Sequence, residues 1–277
     1  MQEANFLEYR QHRYLKLAVA LALVAAFAYA WHQPPVLAYG GTWLGYTLGT
    51  VSALLVLLLL WLGVRKRQYR RAPGTLQGWL SAHVYLGTTL LVLATLHSGF
   101  ELGWNVHSLA YALMLGVILS GFYGVAVFLR LPGRITVNMG EDSLDSLLLQ
   151  IADLDREARR VAMQLPDAIN SEVLHASERT KIGGSWWRQL RGNQLRCPTA
   201  AVLALLQRPA PQYDAAQSAA HRALYALMLR KQALVNRARR DVMYKARLQF
   251  WLYLHVPLSF ALLLALLAHV LAVFYYW

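Results

Sequence analysis

Four histidines lie inside two apolar stretches of the chain, with the same spacing in both. His83 and His97 bound the segment HVYLGTTLLVLATLH, and His255 and His269 bound HVPLSFALLLALLAH. Fourteen residues of helix rise about 21 Å and complete almost four turns, so both imidazoles of a segment share one helix face. A polar side chain in hydrocarbon is costly unless it has a partner. Imidazoles that face each other across two helices are suited to binding a metal.

The elements that carry these histidines are strongly apolar. The chain has 277 residues, of which 57% are hydrophobic and 15% charged, whereas a soluble domain carries about a quarter charged residues. Five segments approach the ~20 residues needed to cross ~30 Å of hydrocarbon. They are residues 15–31, 42–64, 79–100, 106–129 and 250–277. We therefore expect five transmembrane helices; the first also resembles a signal peptide with an A-x-A end, and we expect it to be retained.

The basic residues indicate how these spans are oriented. Every Lys and Arg lies in residues 1–16, 65–71 or 130–247, so the positive-inside rule places the N-terminus in the cytoplasm and the C-terminus outside. The formal net charge of +13 then faces anionic lipid headgroups, and we expect no nucleic-acid partner. We expect a multi-pass membrane protein, and the resemblance described below implies the bacterial cytoplasmic (inner) membrane.

The predicted fold is an all-α integral membrane bundle with a helical cytoplasmic insertion. Residues 1–130 contain the first four spans, residues 131–249 form the basic insertion, and residues 250–277 complete the bundle. Apolar periodicity within the insertion predicts a helical hairpin, residues 143–163 against 214–246. We expect the stretch ERTKIGGSWWRQLRGNQLRCPT, residues 178–199, to be irregular.

The charge pattern makes the third and fifth spans parallel. Each histidine of one span therefore has a counterpart at the same membrane depth in the other. His83 then faces His255 near the cytoplasmic side, and His97 faces His269 near the outer side. Two facing imidazoles are the axial ligand set of a bis-histidine haem iron, so we expect two haem b groups, one at each level. Four separate histidines, each bonded to a carbonyl or hydroxyl, are the alternative.

Other residues near these histidines are candidates for holding a porphyrin. Gly87 and Ala94 either leave room for the ring or serve ordinary helix packing. Cations for inner haem propionates are available from Arg70, Arg71, Arg134 and Arg247. The outer side has no Lys or Arg, so we expect neutral donors there, namely Trp43, Trp104, Asn105 and His107.

The outer connection between the third and fourth spans carries a carboxylate and an imidazole. Glu101 and His107 are positioned to accept the two protons that a quinol releases on oxidation. The plainer interpretation is that Glu101 caps the loop and His107 begins the fourth span.

The histidine-bearing segments resemble a known group of proteins. HVYLGTTLLVLATLHSGF, LSGFYGVAVFLRLPG and LHVPLSFALLLALLAHVLAVFYY are similar to membrane di-haem b-type cytochromes. That group includes the cytochrome b of quinol-oxidising complexes, the cytochrome b561 proteins, the ferric-reductase/NADPH-oxidase membrane domain and small bacterial cytochrome b subunits. The resemblance covers the third to fifth spans and implies iron ligands at His83, His97, His255 and His269.

The predicted chemistry is one-electron relay, because bis-histidine ligation leaves iron no open position. We expect an electron-transfer subunit, without a catalytic module of its own, in a larger respiratory complex. It would link the quinone pool to an extracytoplasmic partner such as a c-type cytochrome or an iron–sulfur protein. Two alternatives stay open: a stand-alone b561-like reductase of ferric or small acceptors, and a haem-free membrane anchor or metal transporter.

Overall fold

The structure is a computed structural model that describes residues 6–34, 40–67, 74–192, 197–208 and 213–276. All regular structure in these ranges is helical, which confirms the all-α prediction. After a short 3-10 turn at Phe6–Glu8, the helices are α1 Tyr9–Trp31, α2 Trp43–Arg67, α3 Leu76–Ser98, α4 Val106–Met139, α5 Leu144–Ala162, α6 Asp167–Arg179, α7 Trp186–Arg191, α8 Pro198–Leu206 and α9 Ala215–Tyr276.

The described residues contain five helical stretches long and apolar enough to cross a membrane, as the sequence predicts. They lie in α1, α2, α3, α9, and in α4 together with the following α5. Large apolar side chains point outward from α1, where Leu23 is 64% and Phe27 68% exposed. Outward apolar surface of this kind suits contact with lipid rather than water.

Contacts divide the chain into two compact units. The first consists of residues 1–129 and 251–277, and the second of residues 130–250. Helices α4 and α9 contribute residues to both units. α4 also continues through Pro132 to Met139, beyond the predicted end of the fourth span at residue 129.

Local signals in the sequence fix the ends of α3, the helix that carries His83 and His97. The hydroxyl of Thr75 accepts a hydrogen bond from the backbone N–H of Gly78 at 3.1 Å and so caps the first turn. Gly99 ends the helix in the left-handed region at φ 59°, which a glycine adopts without steric cost. The two caps bracket both histidines within one continuous helix.

Two apolar clusters form the core of the first unit. One joins α1, α2 and α3 through Ala25, Leu44, Leu48 and Leu93. The other, which we call the middle layer, consists of Val56, Leu90, Met114 and Leu262 from α2, α3, α4 and α9. Leu90 and Leu262 each lie halfway between the two histidines of their own helix. The middle layer therefore separates the two histidine levels.

The second unit is more elaborate than the predicted hairpin. α5 does pack against α9, through Leu147 against Ala238 and through an ion pair of 2.5 Å between Asp155 and Lys231. However, α6 and α8 add core residues such as Val173 and Val202. The prediction that residues 178–199 are irregular is partly wrong, because they include the end of α6, all of α7 and the first two residues of α8.

Candidate functional site

The inner histidine pair brings α3 and α9 together. The ring centroids of His83 and His255 lie 6.3 Å apart, with an angle of 62° between the ring planes. The sequence spacing predicts that these two residues face each other, and their rings do so in the structure. Gly121 on α4 lies against the second ring, because a Cβ there would lie 3.6 Å from Cε1 of His255, an ordinary contact distance.

A serine on α4 lies at hydrogen-bond distance from one ring nitrogen of His255. The Ser120 hydroxyl donates its hydrogen to the Val117 carbonyl at 2.7 Å, and its oxygen lies 2.8 Å from Nδ1 of His255. With the serine hydrogen on the Val117 carbonyl, Nδ1 is the nitrogen that carries the ring proton and donates it to Ser120. Nε2 of His255 therefore holds the lone pair, which is the form of imidazole that binds metals.

His83 lies in an apolar environment with one nitrogen unused. Its Nδ1 is buried and makes no hydrogen bond within the described ranges, which is a costly state for a polar atom unless a ligand supplies the missing partner. A cavity of about 20 Å³ adjoins the ring, lined by residues that include Leu59, Trp79 and Leu86. That volume holds about one water molecule.

The outer pair repeats the inner geometry. The ring centroids of His97 and His269 lie 6.2 Å apart, with the planes at 72°. Nδ1 of His97 lies 2.7 Å from the carbonyl oxygen of Gly45 on α2. A carbonyl only accepts, so Nδ1 carries the proton and Nε2 of His97 again holds the lone pair.

Glycines of α2 and of the turn before it hold the ring of His97. A Cβ at Gly49 would lie 2.6 Å from Cε1 and 2.9 Å from Nδ1 of that ring, and a Cβ at Gly40 would lie 3.2 Å from Cε1. Gly45 and Gly49 are four residues apart and so share one helix face. This face, which we call the glycine cradle, positions His97 by close backbone approach.

A third histidine completes the outer level. The ring of His107, at the start of α4, has its centroid 5.3 Å from that of His97 and 4.9 Å from that of His269. One nitrogen from each of the three rings lies within 4.8 Å of the others. We call this arrangement the histidine triangle. His107 is nearer to each partner than the partners are to one another, so it stands beside the space between them.

Some of the remaining predicted residues near the histidines leave room for a porphyrin, and the others serve ordinary helix packing or capping. Gly87 leaves open space, because a Cβ there would meet only Leu59, at 3.9 Å. Ala94 instead packs against the middle layer, as ordinary helix packing requires. Glu101 is exposed in the turn after α3, and the Asn105 side chain caps α4 by accepting from the N–H of Ser108 at 2.9 Å.

The residues predicted to bind haem propionates have different surroundings in the structure. Arg70 and Arg71 lie outside the described residues. Arg247 donates from Nε to the carbonyl of Leu190 at 3.3 Å, a contact within the second unit. Arg134 lines a separate cleft of that unit. Among the candidates predicted for the outer side, Trp43 packs edge-on against His32, and Trp104 is fully exposed.

Sequence reasoning missed three residues that orient the histidines, namely Ser120, Gly45 and Gly49. A signal existed for the glycines, since two small residues four apart on a transmembrane helix mark a face of close approach. No comparable pattern singles out Ser120, because serine in an apolar helix commonly bonds its own backbone. Its role is visible only once α4 and α9 are seen side by side.

Comparisons with known protein families, with curated proteins and with solved structures found no match to this chain.

Proposed function

We propose that this chain is a di-haem b-type cytochrome that carries electrons across a membrane. The observation that supports the proposal best is the pair of histidine levels, with ring separations of 6.3 Å and 6.2 Å on the same two helices. Two imidazoles that bind one metal at the usual ~2 Å have ring centroids roughly 6 Å apart. Bound haem supplies one-electron transfer with no open iron position.

The hydrogen bonds of two of the four histidines favour this use. In His97 and in His255, a bond at Nδ1 leaves Nε2 as the lone-pair nitrogen. Such a bond fixes the tautomer, sets the ring orientation and raises the basicity of the ligand. In His83 the buried Nδ1 has no partner in the described chain, so this ring also keeps a nitrogen available to a ligand.

The protein around the rings excludes water from the space between them, but it leaves little room beside His83. The middle layer of Val56, Leu90, Met114 and Leu262 keeps the space between the levels apolar. Beside His83 the cavity of about 20 Å³ is much smaller than a porphyrin. Binding at the inner level therefore requires the side chains that line this cavity to move aside, and the open face of Gly87 helps to provide space.

We further propose the partners that this activity requires. The chain would sit in the bacterial inner membrane with residues 131–249 in the cytoplasm, as the distribution of basic residues predicts. It would join the quinone pool to an extracytoplasmic redox subunit, such as a c-type cytochrome or an iron–sulfur protein. The exposed Glu101 and the nearby His107 are our candidates for accepting quinol protons.

A second function has a specific observation in its favour. The histidine triangle presents three nitrogens within 4.8 Å of one another, and three histidines are a familiar ligand set for zinc or copper. A single transition-metal ion needs less space than a porphyrin and no movement of His107. This supports the alternative of a haem-free metal-handling protein, which would be isolated without haem absorbance and with one equivalent of metal.

Electron transfer across vesicles containing the purified chain tests the main proposal. With dithionite outside and ferricyanide trapped inside, vesicles of the native chain should bleach ferricyanide much faster than protein-free vesicles. His83→Ala and His97→Ala should each abolish the added rate, because one level is then lost. His175→Ala, an exposed histidine of α6, is the control and should keep the native rate. Native vesicles that perform no better than protein-free ones would rule out the proposal.

A further inference from the structure

The second unit contains a cleft with a strongly cationic lining. It measures about 720 Å³ and lies between the C-terminal part of α4 and the middle of α9. This is within the size range of small-molecule sites. The lining consists of Arg130, Gly133, Arg134, Val137, Asn138, Arg237, Arg240 and Tyr244, so it includes four arginines and no carboxylate.

The sequence places these arginines on facing helix surfaces. Arg130 and Arg134 are four residues apart on α4, and Arg237 and Arg240 are three apart on α9, so each pair shares one face of its helix. Gly133 keeps the α4 side open, because a Cβ there would meet nothing within 4 Å. The cleft is thus built by the regular spacing of two helices rather than by a loop.

One of the four arginines holds the cleft together. Arg237 pairs with Asp142 at 2.7 Å through Nη1, and its other nitrogens donate to the carbonyls of Asn138 and Met139. These carbonyls belong to the last turn of α4, where a cation also meets the negative end of the helix dipole. Arg237 is therefore committed to joining α9 to the end of α4.

The other three arginines keep their charge available. Arg240 donates from Nε to the neutral side-chain oxygen of Asn138 at 2.9 Å. Within the described chain, Arg130 and Arg134 make no ion pair, and neither does Arg240. All three are exposed. Planar guanidinium groups converging on one cleft match the oxygens of a phosphate group, which they bind with paired hydrogen bonds.

The place of the cleft in the chain indicates where such a phosphate comes from. Arg130 directly follows the apolar stretch of α4 that ends at residue 129, so it emerges at the depth of lipid headgroups if that stretch spans the bilayer. Val137 is 86% exposed on the lining and offers apolar contact next to the charges. Basic pockets at the ends of membrane helices are suited to anionic headgroups.

We propose that this cleft binds the phosphodiester headgroup of an anionic phospholipid. Arg130, Arg134 and Arg240 contact the phosphate oxygens, while Arg237 maintains the cleft walls. The inference does not depend on haem binding, because every residue in it lies in residues 130–250. Lipid binding here would anchor the second unit to headgroups.

The test is a binding titration of the purified full-length chain, stripped of lipid in a zwitterionic detergent. Phosphatidylglycerol, phosphatidylcholine and inorganic phosphate are added separately, and binding is followed by the shift in unfolding temperature. We expect saturable stabilisation by phosphatidylglycerol alone. The double variant Arg130→Gln/Arg134→Gln should weaken this binding at least about tenfold, because it removes charge-assisted bonds to the phosphate.

A matched variant separates a built site from general charge attraction. Arg160→Gln/Arg222→Gln removes the same charge from two exposed arginines outside the cleft and should bind phosphatidylglycerol as the native chain does. Equal weakening in both double variants would overturn the proposal in favour of non-specific attraction. Stabilisation by inorganic phosphate, with no competition from phosphatidylglycerol, would overturn the lipid source and assign the cleft to a soluble phosphate compound.

Discussion

The two histidine pairs, inner and outer, have nearly the same distance between their rings, but the residues around the rings differ. The inner level has two imidazoles, a serine that orients one of them, and a buried Nδ1 without a hydrogen bond in the described chain. The outer level has three imidazoles, a glycine cradle and an exposed carboxylate in the adjoining turn. The inner level thus offers two imidazoles and one nitrogen unpartnered within the described residues, whereas the outer level adds a third imidazole and has a carboxylate in the adjoining turn.

The middle layer makes this difference possible. Because Leu90 and Leu262 pack together halfway between the levels, a change at one level has no polar route to the other. We therefore expect substitutions near one pair to leave the second pair intact. Variants that affect the levels unequally test this expectation, and we give them in order of decreasing effect.

A substitution in the glycine cradle should cause the largest difference in haem content between the two levels. Gly49→Val places a side chain where even a Cβ would lie 2.6 Å from the His97 ring, so we expect complete loss of the outer haem and retention of the inner one. Haem content per chain, from extraction and absorbance, measures this. Gly63→Val on the same helix is the control, because a Cβ there meets nothing within 4 Å. Loss of both haems in Gly49→Val would argue against independent levels.

Removing the third imidazole distinguishes the two candidate functions at the outer level. If His97 and His269 are axial ligands, His107→Ala leaves the haem content unchanged. If the triangle instead binds one transition-metal ion, the same variant loses a ligand, and zinc affinity should fall at least about tenfold. Haem content and zinc titration on the same preparation provide the two readouts. A drop in haem would show that His107 serves the porphyrin site.

A smaller effect is expected at the inner level from Ser120→Ala. The variant removes the acceptor of the His255 Nδ1 hydrogen, so the ring loses its fixed tautomer and some basicity. Haem affinity at this level should fall about 10- to 100-fold, as for other partners of metal-bound histidines. Ser259→Ala is the matched control, since that hydroxyl donates only to the backbone carbonyl of His255. Equal losses in the two variants would mean that the Nδ1 bond is unimportant.

Leu262→Ala should produce the smallest difference in haem retention between the two levels, although it lowers the stability of the protein. This side chain is 6% exposed in the middle layer, and truncating a buried leucine costs about 2–5 kcal/mol of unfolding free energy. Both levels border the layer, so both haems should be released together at a lower unfolding temperature. Thermal unfolding followed by haem absorbance measures this. Early release from one level only would contradict a shared layer.

Periodicity and spacing predicted the positions of the spans and the pairing of the histidines, because both depend on regular helix geometry. The fourteen-residue interval of His83 and His97 is enough to place both on one face of α3. The sequence predicted that His107 lies near the outer pair, but not that its ring joins His97 and His269 in one cluster. That close approach depends on how residues 99–105 turn between α3 and α4. The path of this turn depends on Gly99 and Phe100, whose backbones adopt the left-handed conformation. The sequence does not specify that path.

The second unit was harder to predict for a different reason. Its long amphipathic helix α5 has clear periodicity, but α6 is only thirteen residues long and α8 nine. Ile169, Val173 and Ala176 do follow helical spacing, yet over so short a window apolar spacing is ambiguous. The ion pair between the buried Lys231 and the half-buried Asp155 also looks like ordinary surface charge until the helices are packed together.

The haem-to-protein ratio of the purified native chain, measured beside His83→Ala and His97→Ala, tests the central claim most directly. We expect two haem b per native chain and one in each variant, with the oxidised spectrum of low-spin, six-coordinate iron. A native chain without haem, or a ratio that neither variant changes, would contradict the assignment of the two histidine pairs as haem ligands.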